Sequence, residues 1–340
     1  MIPLNNSPYF LKPASVQSVM LRVLVALLPG IAAYVYFFGV AILLQIALAS
    51  TAALAAEALI LSLRGKPVML FLSDGSALVT AWLIALSFPS LAPWWLTVLG
   101  TLLAIIVAKH LYGGLGQNPF NPAMVAYALM IVAYPQLMSQ WPAAGAADLP
   151  GQWQAIFGAR QLDAITMATP LDALRTALHS VDAKATVASM LSSNPAIGSV
   201  GGKGWEWVAA GYLVGGLWLL QQRIITWHMP AAFLATLFTV AGIFSLVDST
   251  QFAGPLFHMV TGGAMLGAFF IVTDPVSGAT TPKGKLIFAA GVAALTWIIR
   301  CFGAYPDGIA FAILLMNIAV PLIDMYTQPP VFGHKRGDPR

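Results

Sequence analysis

Charge is what this sequence has least of. Sixteen Lys and Arg and 12 Asp and Glu make up 8% of 340 residues, about a third of the share usual in soluble domains, while 59% of the chain is hydrophobic. That balance excludes a water-soluble globule, and a mean hydropathy of +0.82 excludes a disordered chain. Cysteine is nearly missing as well. The single Cys301 can close no internal disulfide and cannot hold an iron–sulfur cluster through thiolates, so any redox chemistry must use another cofactor. Metal-ligand spacings such as His-x-x-x-His or Glu-x-x-His do not occur, which argues against a bound transition metal. A net charge of +4 is then the Lys/Arg bias of a membrane protein, and no nucleic-acid partner is expected.

What is abundant is the long apolar run. Runs fall near 20–38, 40–62, 75–89, 94–110, 122–134, 206–221, 229–247, 257–273, 285–301 and 308–326, which predicts an all-α integral membrane protein of about ten spans. The first run follows a polar start and has no small-residue cleavage site, so it reads as a retained helix. With the N-terminus cytoplasmic, Lys12, Arg22, Arg64, Lys66, Lys109, Arg223, Lys283, Lys285, Lys335, Arg336 and Arg340 all fall inside, and so does the C-terminus. The remaining bases lie at Arg300 and in a loop rich in Ala, Ser, Gly and Pro, which long-loop behaviour permits on the outside.

This partition predicts a first transmembrane repeat over 1–134, an external subregion over 135–205, a second repeat over 206–326 and a cytoplasmic tail over 327–340. Five spans on each side of the loop invert the second half. Two short spans match across the halves: one opens at Gly75-Ser76 and closes at Pro89, the other opens at Gly262-Gly263 and closes at Pro275. Short, Gly/Pro-interrupted segments in corresponding positions mark the midplane site of inverted-repeat transporters, because a broken helix frees backbone groups for a ligand. The same glycines also serve close helix packing.

Few residues in the apolar runs can ionise. Glu57 lies within the second span, where a carboxylate is costly, and two readings stand: part of a cation path, or a protonated side chain hydrogen-bonded to a neighbouring helix. His110, His258, Arg300, Asp307 and Asp324 fall near span ends, where snorkelling or helix capping accounts for them. Trp94, Trp95, Trp205 and Trp207 fit aromatic belts. The run Gly113–Ala123 precedes a helix; its glycines, with Asn118 and Asn121, suit either a structural turn or a cradle for an uncharged heteroaromatic ring. Two runs join an Asp to hydroxyl residues: Asp163 to Thr166-Met167-Ala168-Thr169-Pro170-Leu171-Asp172, and Asp274 to Ser277-Gly278-Ala279-Thr280. Either can be a capped turn, and either offers a Thr hydroxyl for esterification by the phosphate of a nucleotide cofactor.

Taken together, Gln117–Ala123, Thr273-Asp274-Pro275, Phe302–Ala312 and Val320–Asp324 resemble the D subunit of the Rnf ion-translocating electron-transport complex over nearly the whole chain, and more distantly the B subunit of the sodium-pumping NADH:quinone reductase. The resemblance implies two inverted five-helix repeats and an FMN esterified through its phosphate to a threonine. It also implies a complex, with A, B, C, E and G subunits as partners, that moves electrons between ferredoxin and NAD while translocating sodium ions or protons across the bacterial cytoplasmic membrane. In this reading the chain is an electron carrier that binds no NAD itself and needs no catalytic side chain.

The family's attachment run falls on Thr166 to Thr169, with Thr169 as the attachment residue and Asp163 and Thr166 as parts of the motif. Met167 stands where related flavin carriers often have Gly. The run at Ser277 to Thr280 has that Gly, but the attaching enzyme acts outside the membrane, and charge places 274–284 inside. Similarity to the sodium-pumping relative implies a second, noncovalent flavin such as riboflavin, for which Asn118 and Asn121 are the candidates. A redox-inactive inverted-repeat solute channel is the competing reading, since such proteins also use broken helices.

Overall fold

The computed structural model describes residues 15–145, 148–158, 165–179 and 186–329. The first half contains α1 (Val16–Phe38), α2 (Ala41–Leu63), α3 (Val68–Leu72), α4 (Ser76–Ser87), α5 (Trp94–His110, a π-helix from Leu103 on) and α6 (Pro122–Ala133). The middle section carries α7 (Pro135–Met138), β1 (Trp141–Pro142), α8 (Leu149–Phe157), β2 (Thr166–Met167), α9 (Pro170–His179) and α10 (Val187–Ser193). The second half contains α11 (Trp205–Gln221), α12 (His228–Val247), α13 (Pro255–Val260), α14 (Ala264–Leu266, continued as a π-helix over Gly267–Ile271), α15 (Pro282–Phe302) and α16 (Ile309–Thr327).

These boundaries follow local chemistry. Ser15 caps α1 by accepting from Ser18 N, Asn121 caps α6 with Pro122 at its first position, and Thr281 caps α15 with Pro282 at its first position. Helices α1, α2, α12, α15 and α16 are long and apolar enough to cross a bilayer by themselves. In each half the third pass is made in two pieces, α3–α4 and α13–α14, with Gly75 (φ +78°) and Gly262 (φ +60°) at the breaks. A left-handed residue there ends one helix and starts the next, which a β-carbon would resist. Among the described residues the chain is thus an all-α membrane protein of two five-pass repeats, as the apolar runs predict.

The repeats meet along α1 and α11, their equivalent first helices. A β-carbon on Gly30 would strike the Tyr212 ring, one on Gly211 would reach the Gly30 backbone at 2.7 Å, and one on Gly215 would strike the Ala26 carbonyl. Rising numbers on α1 thus meet falling numbers on α11, so the pair is antiparallel, as inversion requires. One end of this seam is filled by aromatic rings: Trp205 lies 5.5 Å from Tyr34, 4.5 Å from Phe38 and 5.4 Å from Trp141, centroid to centroid.

The middle section docks onto that same end, here termed the loop face. Strands β1 and β2 pair antiparallel with Trp141 opposite Met167, Ala41 N donates to Gln152 Oε1 of α8 at 2.7 Å, and Gly145 N donates to Phe37 O at 2.9 Å. The opposite end, with the start of α1 and the end of α16, is the terminal face.

Candidate functional site

In the first repeat a buried charge cluster closes the break at Gly75. Lys109 Nζ donates to Glu57 Oε1 and Oε2 at 2.8 and 2.9 Å and to Ser76 Oγ at 2.8 Å, so the last turn of α5 ties α2 to the first residue of α4. His110 Nε2 stands 3.4 Å from Glu57 Oε1. Lys109 and Glu57 are each 2% exposed. Two of the ammonium's donors meet the carboxylate's two oxygens and the third meets Ser76 Oγ, the condition under which such a pair survives burial.

The second repeat has an equivalent cluster on the other face. Arg300, in the last turn of α15, donates through Nη1 to His258 O at 2.6 Å and through Nη2 to Thr261 O at 3.2 Å, which caps the open end of α13. Its Nε and Nη2 also donate to Asp307 Oδ1 at 3.3 and 3.2 Å. Asp307 Oδ2 accepts from Gly263 N at 2.7 Å, so the same pair holds both lips of the break at Gly262.

Beside each break lies a cavity. The loop-face cavity, about 110 Å³, is walled by Tyr34, Tyr127, Trp141, Trp205 and Tyr212, with Gly262, Gly263 and Asp307 on one side and Thr169, Pro170 and Asp172 on another. The terminal-face cavity, about 140 Å³, is walled by the start of α1, Ser76, Lys109, Asn118, Asn121, Phe269, Phe270 and Thr273 to Val276. Each draws on the start of one first helix and on the end of the other third pass. Inversion of the repeats carries one cavity onto the other. Where α11 meets α14, Tyr212 from the first wall touches Phe270 from the second, with centroids 6.0 Å apart.

Thr169 is the N-cap of α9: its Oγ1 accepts from Asp172 N at 3.2 Å and its carbonyl from Ala173 N at 2.8 Å. Helix α9 is strapped to the cavity wall by Arg175, whose Nη1 donates to Ala304 O at 2.6 Å. Thr166 sits in β2 against Pro142, so the hairpin delivers the Thr166 to Thr169 run to the cavity mouth. Asp163 lies outside the described residues. Thr280 stands at the opposite end of α15, a 21-residue helix about 31 Å long. Its hydroxyl donates to Asp324 Oδ2 at 2.9 Å, while the Ser277 hydroxyl is buried and donates to Asp274 Oδ2 at 2.6 Å. Asn118 and Asn121 both line the terminal-face cavity and both shape their own loop: Asn118 Nδ2 donates to Phe120 O at 2.9 Å, and Asn121 Oδ1 accepts from Ala123 N and Met124 N at 3.1 and 3.2 Å.

The structure corrects several placements. His110, His258 and Arg300 are buried rather than snorkelling at an interface, because each packs inside the protein beside a broken third pass. Capping does hold for Arg300 and Asp307, whereas Asp324 accepts from the backbone and hydroxyl of Thr280 in the turn before α15. Trp94 and Trp207 are exposed, as aromatic belts require, whereas Trp205 belongs to the cavity wall. Lys109, counted by charge among the bases of the cytoplasmic side, is the buried counter-ion of Glu57. It was missed because the two are 52 residues apart and nothing local marks them as partners. Among the described residues no group of three or more His, Cys, Asp or Glu side chains is arranged to hold a metal ion.

Fold and site together define a multi-pass membrane protein of two inverted repeats, with a cavity beside each broken third pass. The chain belongs to the NQR2, RnfD, RnfE family, whose model matches residues 4–333. It is 47% identical over 349 residues to a protein of Escherichia fergusonii named as the D subunit of an ion-translocating oxidoreductase complex, covering 98% of each chain. Proteins of the same name from Yersinia pseudotuberculosis and Escherichia coli are each 48% identical, over 350 and 349 residues, again covering 98% of each chain.

Proposed function

We propose that this chain is the D-type membrane component of an ion-translocating oxidoreductase complex and carries FMN esterified to Thr169, with the isoalloxazine ring in the loop-face cavity. The observation that carries the reading is the position of Thr169 at the mouth of an aromatic-walled cavity next to a broken pass. The residues fit the group. Five aromatic side chains offer flat apolar surface, Thr169 offers an oxygen nucleophile, and a phosphate on it would lie at the start of α9, whose Asp172 N already donates to the Thr169 oxygen. The alternative hydroxyl, on Thr280, lines neither of these two cavities and is engaged by Asp324. A flavin so held supplies one-electron chemistry.

What the chain's own residues do is hold, orient and insulate. Arg175 fixes α9 to the wall, the β1–β2 hairpin fixes the approach, and the ring of Trp and Tyr side chains keeps the cavity poor in water. The inverted counterpart of this site is the terminal-face cavity, and Asn118 and Asn121 are the residues that would hold a second, noncovalent flavin such as riboflavin there. The Tyr212–Phe270 contact separates the two cavities by little more than two rings. Electron exchange between ferredoxin and NAD, coupling to sodium ions or protons, the A, B, C, E and G subunits as partners, and an external loop face with both termini cytoplasmic complete the proposal. Glu57 is the candidate member of an ion path, acting with Lys109.

The mass of the Thr169-containing peptide from native membranes tests the reading. An added FMN phosphoester on that peptide is expected; an unmodified peptide from a colourless, fully assembled protein would favour the redox-inactive channel instead.

A further inference from the structure

We propose that Asp307 is the specificity-determining residue of the loop-face cavity and accepts the imide N–H of the heteroaromatic ring held there. The inference rests on the reading of Thr169 as the ring's anchor. It starts from the polar groups on the cavity wall. The hydroxyls of Ser87 and Ser139 donate to carbonyls of their own helices, Leu83 O and Pro135 O, each at 2.7 Å. Thr169 and Asp172 belong to the anchoring turn. Asp307 is a carboxylate fixed by four donors, on a wall that otherwise combines aromatic and aliphatic side chains with the tyrosine hydroxyls and Asp172.

A carboxylate offers about four lone-pair positions. Oδ1 accepts from Arg300 Nε, Arg300 Nη2 and Ile309 N, while Oδ2 accepts only from Gly263 N. Oδ2 therefore keeps an acceptor position. The side chains differ in the same sense, since that of Asp307 is 21% exposed and that of Arg300 is 1% exposed. The anion faces the cavity and the cation backs it. Arg300 is itself pinned by His258 O and Thr261 O, so the acceptor cannot swing away. A fixed, half-buried acceptor discriminates, because a ring edge offering a carbonyl there leaves it unpaired and repelled, whereas an imide N–H satisfies it. The isoalloxazine edge carries one N–H between two carbonyl groups. Arg175 on Ala304, three residues before Asp307, keeps anchor and acceptor in register.

The test uses the full-length chain in lipid nanodiscs, produced in cells that attach the flavin. Asp307→Asn removes the anion, and the double variant Arg300→Met with Asp307→Leu replaces the whole pair by apolar side chains, a change that buried pairs commonly survive. Three quantities are read: the FMN mass on the Thr169 peptide, the anisotropy of flavin fluorescence, and the equilibrium of flavin reduction. Both variants are expected to keep the mass and lose anisotropy. Reduction should become about tenfold more favourable in Asp307→Asn, because a fixed negative neighbour no longer opposes the added electron. The double variant should shift in the same direction. A purely structural role predicts otherwise: wild-type anisotropy and wild-type reduction in a folded, loaded double variant would overturn the assignment. A wild-type peptide without the FMN mass would instead remove the anchor on which it rests.

Discussion

Lys109 and Arg300 occupy equivalent places in the two repeats. Each stands in the last turn of a fourth pass, each is buried, and each reaches the residues at the break of its own third pass: Ser76 in one case, Thr261 O in the other. Their counter-ions come from different places. Glu57 lies on the second pass, whereas Asp307 lies on the loop that leads into the fifth. A broken helix inside a membrane exposes backbone groups that lipid cannot satisfy, and a buried cation with a fixed carboxylate is one way to close the gap. The two repeats reach the same end with different partners.

The first prediction concerns the Glu57–Lys109 pair. Glu57→Gln alone or Lys109→Met alone leaves one buried group without its partner and should cost about 3–5 kcal/mol, whereas Glu57→Leu combined with Lys109→Met, which replaces the whole pair by apolar side chains, should be near neutral. Chemical denaturation in detergent micelles reads this directly. Equal losses in single and double variants would mean that the pair is not coupled. The folded double variant then serves in sealed vesicles: diminished ion uptake with electron transfer retained would put Glu57 on the path, and unchanged uptake would take it off.

The second concerns Thr169. Its hydroxyl caps α9, so Thr169→Ala combines loss of the attachment atom with loss of a cap worth about 1 kcal/mol. Thr169→Asn separates the two, since Asn caps a helix but cannot form the ester. Under the proposed function Thr169→Asn abolishes flavin fluorescence in a denaturing gel while the melting temperature stays close to wild type, and Thr280→Ala keeps the fluorescence. The opposite pattern would move the attachment to the other face.

The third concerns orientation. A reporter active only in the cytoplasm should work when fused after Arg340 and fail when fused within 140–200. Activity in the loop fusion would reverse both faces and with them the choice between Thr169 and Thr280.

The fourth concerns the seam between repeats. Gly215→Leu drives a side chain into the Ala26 carbonyl, a backbone atom that cannot yield, so α1 and α11 must separate. The cost should exceed the ~1–3 kcal/mol of ordinary overpacking. Gly242, whose added β-carbon would meet nothing within 4 Å, is the control: Gly242→Ala should change the melting temperature little.

Much of this was legible in the chain alone. Ten apolar runs, the Asn-Pro helix start at 121–122, and the two Gly-opened, Pro-closed short spans are local features, and local chemistry is what a linear sequence records. The Thr166 to Thr169 run was visible as a motif, although motif and composition could not rank it against Ser277 to Thr280 without an argument from charge. Inversion of the repeats followed from counting five passes on each side of one loop.

Tertiary structure decided the rest, because it concerns residues far apart in the chain. Glu57 looked like a lone carboxylate until folding brought Lys109 to 2.8 Å across 52 residues. Arg300 looked like an interfacial base until α13 was seen to stop beside it with open carbonyls. Asn121 and Asp307 both precede a fifth pass, yet only the fold turns one toward each face. The cavities themselves have no sequence signature. They exist because two inverted repeats meet through glycines at α1 and α11 and leave their broken third passes facing outward, one to each side. Such close contact between helices depends on which small residues meet, a property of the pair and not of either helix alone.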